Sequence, residues 1–388
     1  MIKLVNSTFI NETETKQALC NFIMASETLS MGNQCSQFEA QFANWQGSKY
    51  ALLVNSGSSA NLLLVQAMLN SGKWTRGDKI GVSAVTWSTN VMPIIQLGLR
   101  PVLIDVDIHS LNITEKTVAK AHDECELKGL FITNCLGLSP DLPAITDYCA
   151  QNSIEMIEDN CESMGSSLAG TKTGNFGCGA SFSLFVGHHL SAIEGGIICT
   201  DDEEFFHHLI IARAHGWTRN LPETQKATLL EKHNIEPFYE PYFFVESGFN
   251  LRPTEITGFL GKNQLPYLDM IVSERQRNYR LAKTLFSKQG ALLQIRDESM
   301  ETISSFALPF LCRDSQTKDE FLAKCNKLEI DTRPMIAGSI ARQPFMSHCT
   351  WEHAGLTGAD FIHENYFYIG NHEGFGADEY QALEALLA

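Results

Sequence analysis

The chain has 388 residues, 44% apolar and 19% charged, enough for one large domain with a smaller one appended; a small single module, a disordered chain and a fibrous repeat are excluded. A formal net charge of −16 with no Lys/Arg cluster argues against a nucleic-acid partner. No apolar run approaches bilayer length and MIKLVNSTFINETETKQ lacks the apolar core of a signal peptide, so a cytoplasmic protein with no membrane partner is expected.

From about residue 50 to 200, short apolar runs alternate with longer helical patterns. The runs are Ala51–Asn55, Ile80–Val85, Pro101–Val106, Gly129–Asn134, Ile154–Glu158, Ala180–Phe185 and Gly196–Thr200. Between them lie helical stretches at Ser58–Leu69, Thr114–Leu127 and Leu142–Asn152, and another follows Asp201-Asp202. This rhythm predicts an α/β fold built on a mainly parallel seven-stranded sheet covered by helices on both faces. Residues 216–250, with Trp217, Phe238, Tyr239, Tyr242, Phe243 and Phe244 among Pro and Glu, read as a long irregular excursion, and such loops are usually functional. A long helix follows Pro253 with a break at Pro266, and the tail has strand candidates at Phe306–Leu311 and Asp331–Pro334 and a final helix at Ala377–Leu387. The expected division is a large domain over 1–250 and a smaller C-terminal α/β domain, with its linking helix, over 251–388.

Four places along this frame carry chemistry. Asn55-Ser56-Gly57-Ser58-Ser59 follows a strand and opens a helix, so backbone N–H groups and hydroxyls converge where a phosphate could sit, although a plain helix cap reads the same way. Trp87 ends the next strand, where its ring could stack on a planar ligand or pack in the core. Asp159 stands directly beyond the apolar strand Ile154–Glu158, at the carboxyl edge where ligands of α/β sheets bind; it could also be a helix cap. Ser183 is a hydroxyl donor, and five residues later His188 is a base that titrates near neutral pH. His189 is adjacent, but neighbouring side chains on an irregular loop diverge, so one of the two is expected to face the site.

In order and spacing, these elements resemble the sugar aminotransferases and dehydratases that use pyridoxal phosphate (PLP) and have the aspartate aminotransferase fold (fold type I). The resemblance runs from Met31-Gly32 to beyond Gly248-Phe249-Asn250-Leu251-Arg252-Pro253-Thr254, which is similar to that family's Gly-Tyr-Asn-x-Arg-x-Thr segment. It implies that Gly57, Ser58 and Ser183 hold the cofactor's phosphate, with Asn250 a further cofactor contact. It also implies that Trp87 stacks on the ring, that Asp159 keeps the pyridine nitrogen protonated, and that Glu162 lies near the ring hydroxyl with an open role. Members are homodimers with shared active sites.

His188 stands where the family's Schiff-base lysine belongs, so the cofactor, as PLP or pyridoxamine phosphate (PMP), is expected to be non-covalent. Within the family this replacement marks 3-dehydratases of nucleotide-linked 4-keto-6-deoxy sugars. One kind carries a [2Fe–2S] cluster and acts on a CDP-sugar. Another has no cluster and acts on GDP-4-keto-6-deoxy-D-mannose, with L-glutamate as amine donor, on the way to colitose. The chain's eleven cysteines include none between Cys199 and Cys312, where the cluster ligands would lie, so the resemblance implies a GDP-linked substrate, no iron–sulfur cluster and no other metal. His215, Arg219, Arg333 and Arg342 are candidates for the sugar and diphosphate, with ordinary helix-end cations the alternative for the first two. A 4-aminotransferase with an unusual base and a PLP-binding regulatory protein remain open alternatives.

Overall fold

The computed structural model describes residues 2–5 and 7–388. Its main sheet runs in the order Tyr50–Val54, Gly196–Thr200, Ala180–Ser183, Glu155–Asp159, Gly129–Thr133, Lys79–Ser83, Arg100–Ile104 and Glu352–His353. All seven expected strands form, and the sheet gains an eighth, two-residue strand at its edge, paired parallel to Arg100–Ile104 and drawn from the C-terminal third. That addition corrects the count of seven. Gly196–Thr200 alone runs antiparallel to its neighbours, so the strands on either side of it run the same way as the rest.

The strand at Gly129–Thr133 is buried at every residue, as the continuous apolar run Gly-Leu-Phe-Ile-Thr requires of a strand covered on both faces. Helices at Gly57–Asn70, Ser88–Gln96, Glu115–Cys125, Leu142–Gln151 and Glu203–Arg213 supply the covering layers. Because the parallel strands share one direction, Val54, Ser83, Thr133, Asp159 and Ser183 all end at the same edge. Ligand groups therefore collect there.

The break at Pro266 falls between helices Glu255–Gln264 and Leu268–Phe286, joined by a short 3-10 turn. The C-terminal part forms a second, antiparallel sheet, Ala307–Leu311, Tyr366–Gly370 and Thr332–Pro334, closed by the helix Ala377–Leu387. Its central strand was not expected. It follows the helix Thr357–Asn365 with no intervening turn residue, so nothing in the sequence punctuates it. The excursion at 216–250 is not wholly irregular, since it contains the helix Glu223–Lys232. No residue of that helix is fully buried, so its apolar stripe is too weak to announce it.

Candidate active site

A cavity of about 350 Å³ opens at the shared strand edge. On one side lies the entry to the helix Gly57–Asn70, capped by Ser56, whose Oγ accepts the Ser59 N–H at 3.0 Å. Gly57 packs directly on Ser183: a Cβ there would lie 2.9 Å from the Ser183 Cβ, which no side chain could occupy. Gly196 is fixed for the same reason, because a Cβ on it would fall 2.2 Å from the Ser56 carbonyl. The Glu-Gly-Gly turn thus lets the antiparallel strand pass the helix entry and bring the Ser183 hydroxyl beside free N–H groups. Together these make an anion cradle at a helix N-terminus.

Asp159 sits at the floor, 5% exposed. Its Oδ2 accepts hydrogen bonds from Asn61 Nδ2 and Asn90 Nδ2, each at 2.8 Å, and its Oδ1 accepts the Cys161 N–H at 2.9 Å. These three donated hydrogen bonds offset the cost of burying a polar group at this depth and fix the carboxyl's orientation. Trp87 lines the cavity and is 54% exposed, so it is not a core residue.

The two histidines diverge. His188 faces the cavity, its Nδ1 is 2.6 Å from the Cys161 carbonyl, and its ring lies 5.0 Å from that of Phe306. A carbonyl can only accept, so Nδ1 carries the proton and Nε2 keeps a lone pair. Burial pushes the imidazole down to about 4, so it is neutral at pH 7. His189 turns away and is held by Nε2 against the Ser304 carbonyl at 2.9 Å. Glu162 shares the cavity wall and accepts the Leu136 N–H at 2.9 Å; burial raises its carboxyl to about 8, so it is mostly protonated at pH 7.

Residues 10–386 match the DegT/DnrJ/EryC1/StrS aminotransferase family. The chain belongs to that family. It is 37% identical over 357 residues to a Yersinia pseudotuberculosis protein named GDP-4-keto-6-deoxy-D-mannose 3-dehydratase, covering 90% of each chain. A crystal structure of a mutant GDP-4-keto-6-deoxymannose-3-dehydratase with bound GDP-perosamine superposes with a TM-score of 0.91 at 32% identity, over 100% of both chains. Another structure of a GDP-4-keto-6-deoxymannose-3-dehydratase, with a trapped PLP-glutamate geminal diamine, gives 0.88 at 30% identity, again over both whole chains.

The cavity of this family member suits such a cofactor. It offers an anion cradle, a flat exposed indole in its wall, and a buried carboxyl group oriented by three hydrogen bonds with one acceptor position still open. The remaining sequence candidates do not line it. Asn250 is exposed and accepts a bond from Arg252 Nε at 3.0 Å. His215 is exposed in a left-handed turn, φ 65°, with its N–H bonded to the Phe249 carbonyl at 2.7 Å. Arg219 is exposed and lies over the Trp217 ring at 5.1 Å. Arg333 is exposed on an edge strand, paired in register with Tyr368. Arg342 is engaged by Asp360 at 2.9 Å and Glu364 at 2.8 Å, so its charge is already matched.

Sequence reasoning missed several wall residues, among them Thr89, Thr133, Phe185, Phe306, Ile336 and Tyr368. It also missed Asn61 and Asn90, which orient Asp159. Asn61 left a signal, being a polar residue inside the apolar run Ala60–Val65 and fully buried in the fold.

Proposed function

We propose that this chain is a PLP/PMP-dependent nucleotide-sugar 3-dehydratase. It removes the C3 hydroxyl of GDP-4-keto-6-deoxy-D-mannose, with glutamate as amine donor and release of 2-oxoglutarate and ammonia. The observation that carries the reading is His188, a neutral imidazole with a free Nε2 lone pair facing the cavity where relatives of the aminotransferase type hold their cofactor covalently.

The bound cofactor supplies an electron sink and carries the amino group. Gly57, Ser58 and Ser183 would hold its phosphate, Trp87 would cover its ring, Asp159 would face its ring nitrogen, and Glu162 in its neutral form would donate to the ring hydroxyl. His188 Nε2, with its lone pair at the cavity wall, would take the glutamate α-proton and hold it for return, and in the second half would take up a proton again as the C3 hydroxyl departs. An imidazolium held at about 4 is also a strong enough acid to protonate departing hydroxide. With no side-chain amine at this position to take back the cofactor, water completes the release of ammonia.

We further infer a cytoplasmic homodimer, with residues 1–250 as the cofactor domain and 251–388 as the domain that adds Phe306, Ile336 and Tyr368 to the wall. Phe238, Tyr239, Tyr242 and Phe244 are 52–82% exposed along the excursion, an apolar surface suited to burial against a second copy. In that arrangement Asn250, His215 and Arg219 would serve the other subunit's cavity. Incubating the protein with PLP, glutamate and a panel of GDP- and CDP-4-keto-6-deoxy sugars, followed by mass spectrometry, tests the function. A 3-deoxygenated GDP-keto sugar is expected. Amination without loss of hydroxyl, or action on the CDP-sugar alone, would overturn it.

A further inference from the structure

Arg275 lies outside the cavity wall and takes no part in the chemistry above. It projects from the helix Leu268–Phe286 into the interior, 4% exposed. Its Nη1 donates to the carbonyls of Asn371 at 2.6 Å, Phe306 at 2.9 Å and Ser305 at 3.5 Å, and its Nη2 to the carbonyl of His188 at 3.3 Å. Among the described residues these partners are all backbone carbonyls and none is a carboxylate. Asn371 closes the arrangement, giving its amide N–H groups to the carbonyls of Arg275 and Ser305, each at 3.0 Å.

We propose that Arg275 is a positioning residue for His188, fixing the base's own backbone and the facing wall segment 304–306 to one rigid helix. This rests on the assignment of His188 as the base. One planar fork bonds His188 and Phe306 together, and the Phe306 ring is the surface on which the imidazole rests. His189 adds a second tie to the same segment through the Ser304 carbonyl. A lysine ammonium is a point charge on a flexible stem and cannot satisfy carbonyls from three segments in one plane.

The choice of a cation has a second consequence. A buried charge hydrogen-bonded only to carbonyls, with the Glu373 carboxylate near but not bonded to it, is costly, and a neutral amide could brace a loop more cheaply. The guanidinium charge disfavours the imidazolium form of both His188 and His189, adding to the effect of burial, while Asp159 opposes it at His188. The titratable groups facing His188 are Asp159, Cys161 and Glu162 from the strand end, His189 and Glu194 on its own loop, Tyr368 across the cavity, and Arg275, His372 and Glu373 behind it.

The experiment compares Arg275→Lys and Arg275→Gln with the parent protein in the glutamate half-reaction, which needs no sugar. Arg275→Lys should lose about tenfold to a hundredfold in kcat, the cost of a misplaced base, with KM for glutamate and PLP affinity changed by no more than about twofold. In cofactor-free protein, the pH midpoint for diethyl pyrocarbonate modification of His188, read by peptide mass spectrometry, should rise in Arg275→Gln, which loses the charge, and stay in place in Arg275→Lys. Unchanged kcat in Arg275→Lys, a loss matched by equal loss of PLP affinity, failure of Arg275→Lys to fold, or an unmoved midpoint in Arg275→Gln would each overturn the proposal. A parent protein active with glutamate but inert toward the sugars would count against the substrate assignment and leave the role of Arg275 standing.

Discussion

Replacing His188 by asparagine separates folding from chemistry at the residue on which the mechanism turns. The amide is smaller than the imidazole but can still donate to the Cys161 carbonyl, so the 2.6 Å bond that orients the base has a substitute. What the fold loses is the packing of one ring on Phe306, worth about 0.5–1.5 kcal/mol. The variant should therefore fold and bind PLP. Proton transfer is another matter, since an amide accepts no proton near pH 7 and removal of a positioned base costs about a hundredfold to ten-thousandfold. The assay is release of 2-oxoglutarate in the half-reaction and of the deoxygenated sugar in the full one, with His189→Asn as companion. His189→Asn loses a buried bond to Ser304 and should lower stability by about 1–3 kcal/mol while keeping much of its activity. Near-normal turnover by His188→Asn beside an inactive, folded His189→Asn would show that the base has been misassigned.

His188→Lys should join PLP covalently through its new amine and hold it more tightly, yet lose dehydration; a variant that dehydrates as well as the parent would refute the role of a free base. The parent protein should release PLP on dialysis and show no cofactor fixed to lysine after borohydride treatment, and a borohydride-fixed lysine in active protein would contradict this. Turnover should survive chelation and anaerobic dialysis, because no cysteine lies between Cys199 and Cys312; activity restored only by iron and sulfide would sink that expectation. The pH profile follows from two shifts of opposite sense. His188, lowered to about 4, stays a free base through neutral pH and loses activity only as pH falls toward that value, whereas Glu162, raised to about 8, ionises as pH rises through it and adds a negative charge to the cavity wall. PLP affinity should therefore fall above about pH 8, and Glu162→Gln should flatten that limb; an unchanged alkaline limb in Glu162→Gln would assign it to another group.

The main sheet was legible because parallel strands buried on both faces must be continuous apolar runs, and Gly129–Thr133 is such a run. Tyr366–Gly370 was not, since the helix before it hands over directly with no Gly or Pro between. Helix Glu223–Lys232 packs little more than Leu229 against the core and has no fully buried residue, so its apolar pattern is weak.

The site divides along the same physical line. Gly57, Trp87, Asp159 and Ser183 each sit at a strand end or helix entry, and His188 lies on the loop leaving Ser183, so local sequence places them at the shared edge. Phe306, Ile336 and Tyr368 come from the C-terminal third and meet the cavity only through tertiary packing, which no local motif encodes. Arg342 shows the converse. Its sequence context fits a diphosphate contact, but Asp360 and Glu364, 18 and 22 residues on, neutralise it once the helix Thr357–Asn365 folds back.

The most direct test follows the nitrogen. The protein is given PLP, ¹⁵N-labelled glutamate and GDP-4-keto-6-deoxy-D-mannose, and the label is traced by mass spectrometry in ammonia and in the sugar. With His188 in place of an amine, the label should leave as ammonia, one for each 3-deoxygenated sugar formed. Label retained in a sugar that keeps its C3 hydroxyl would contradict the account.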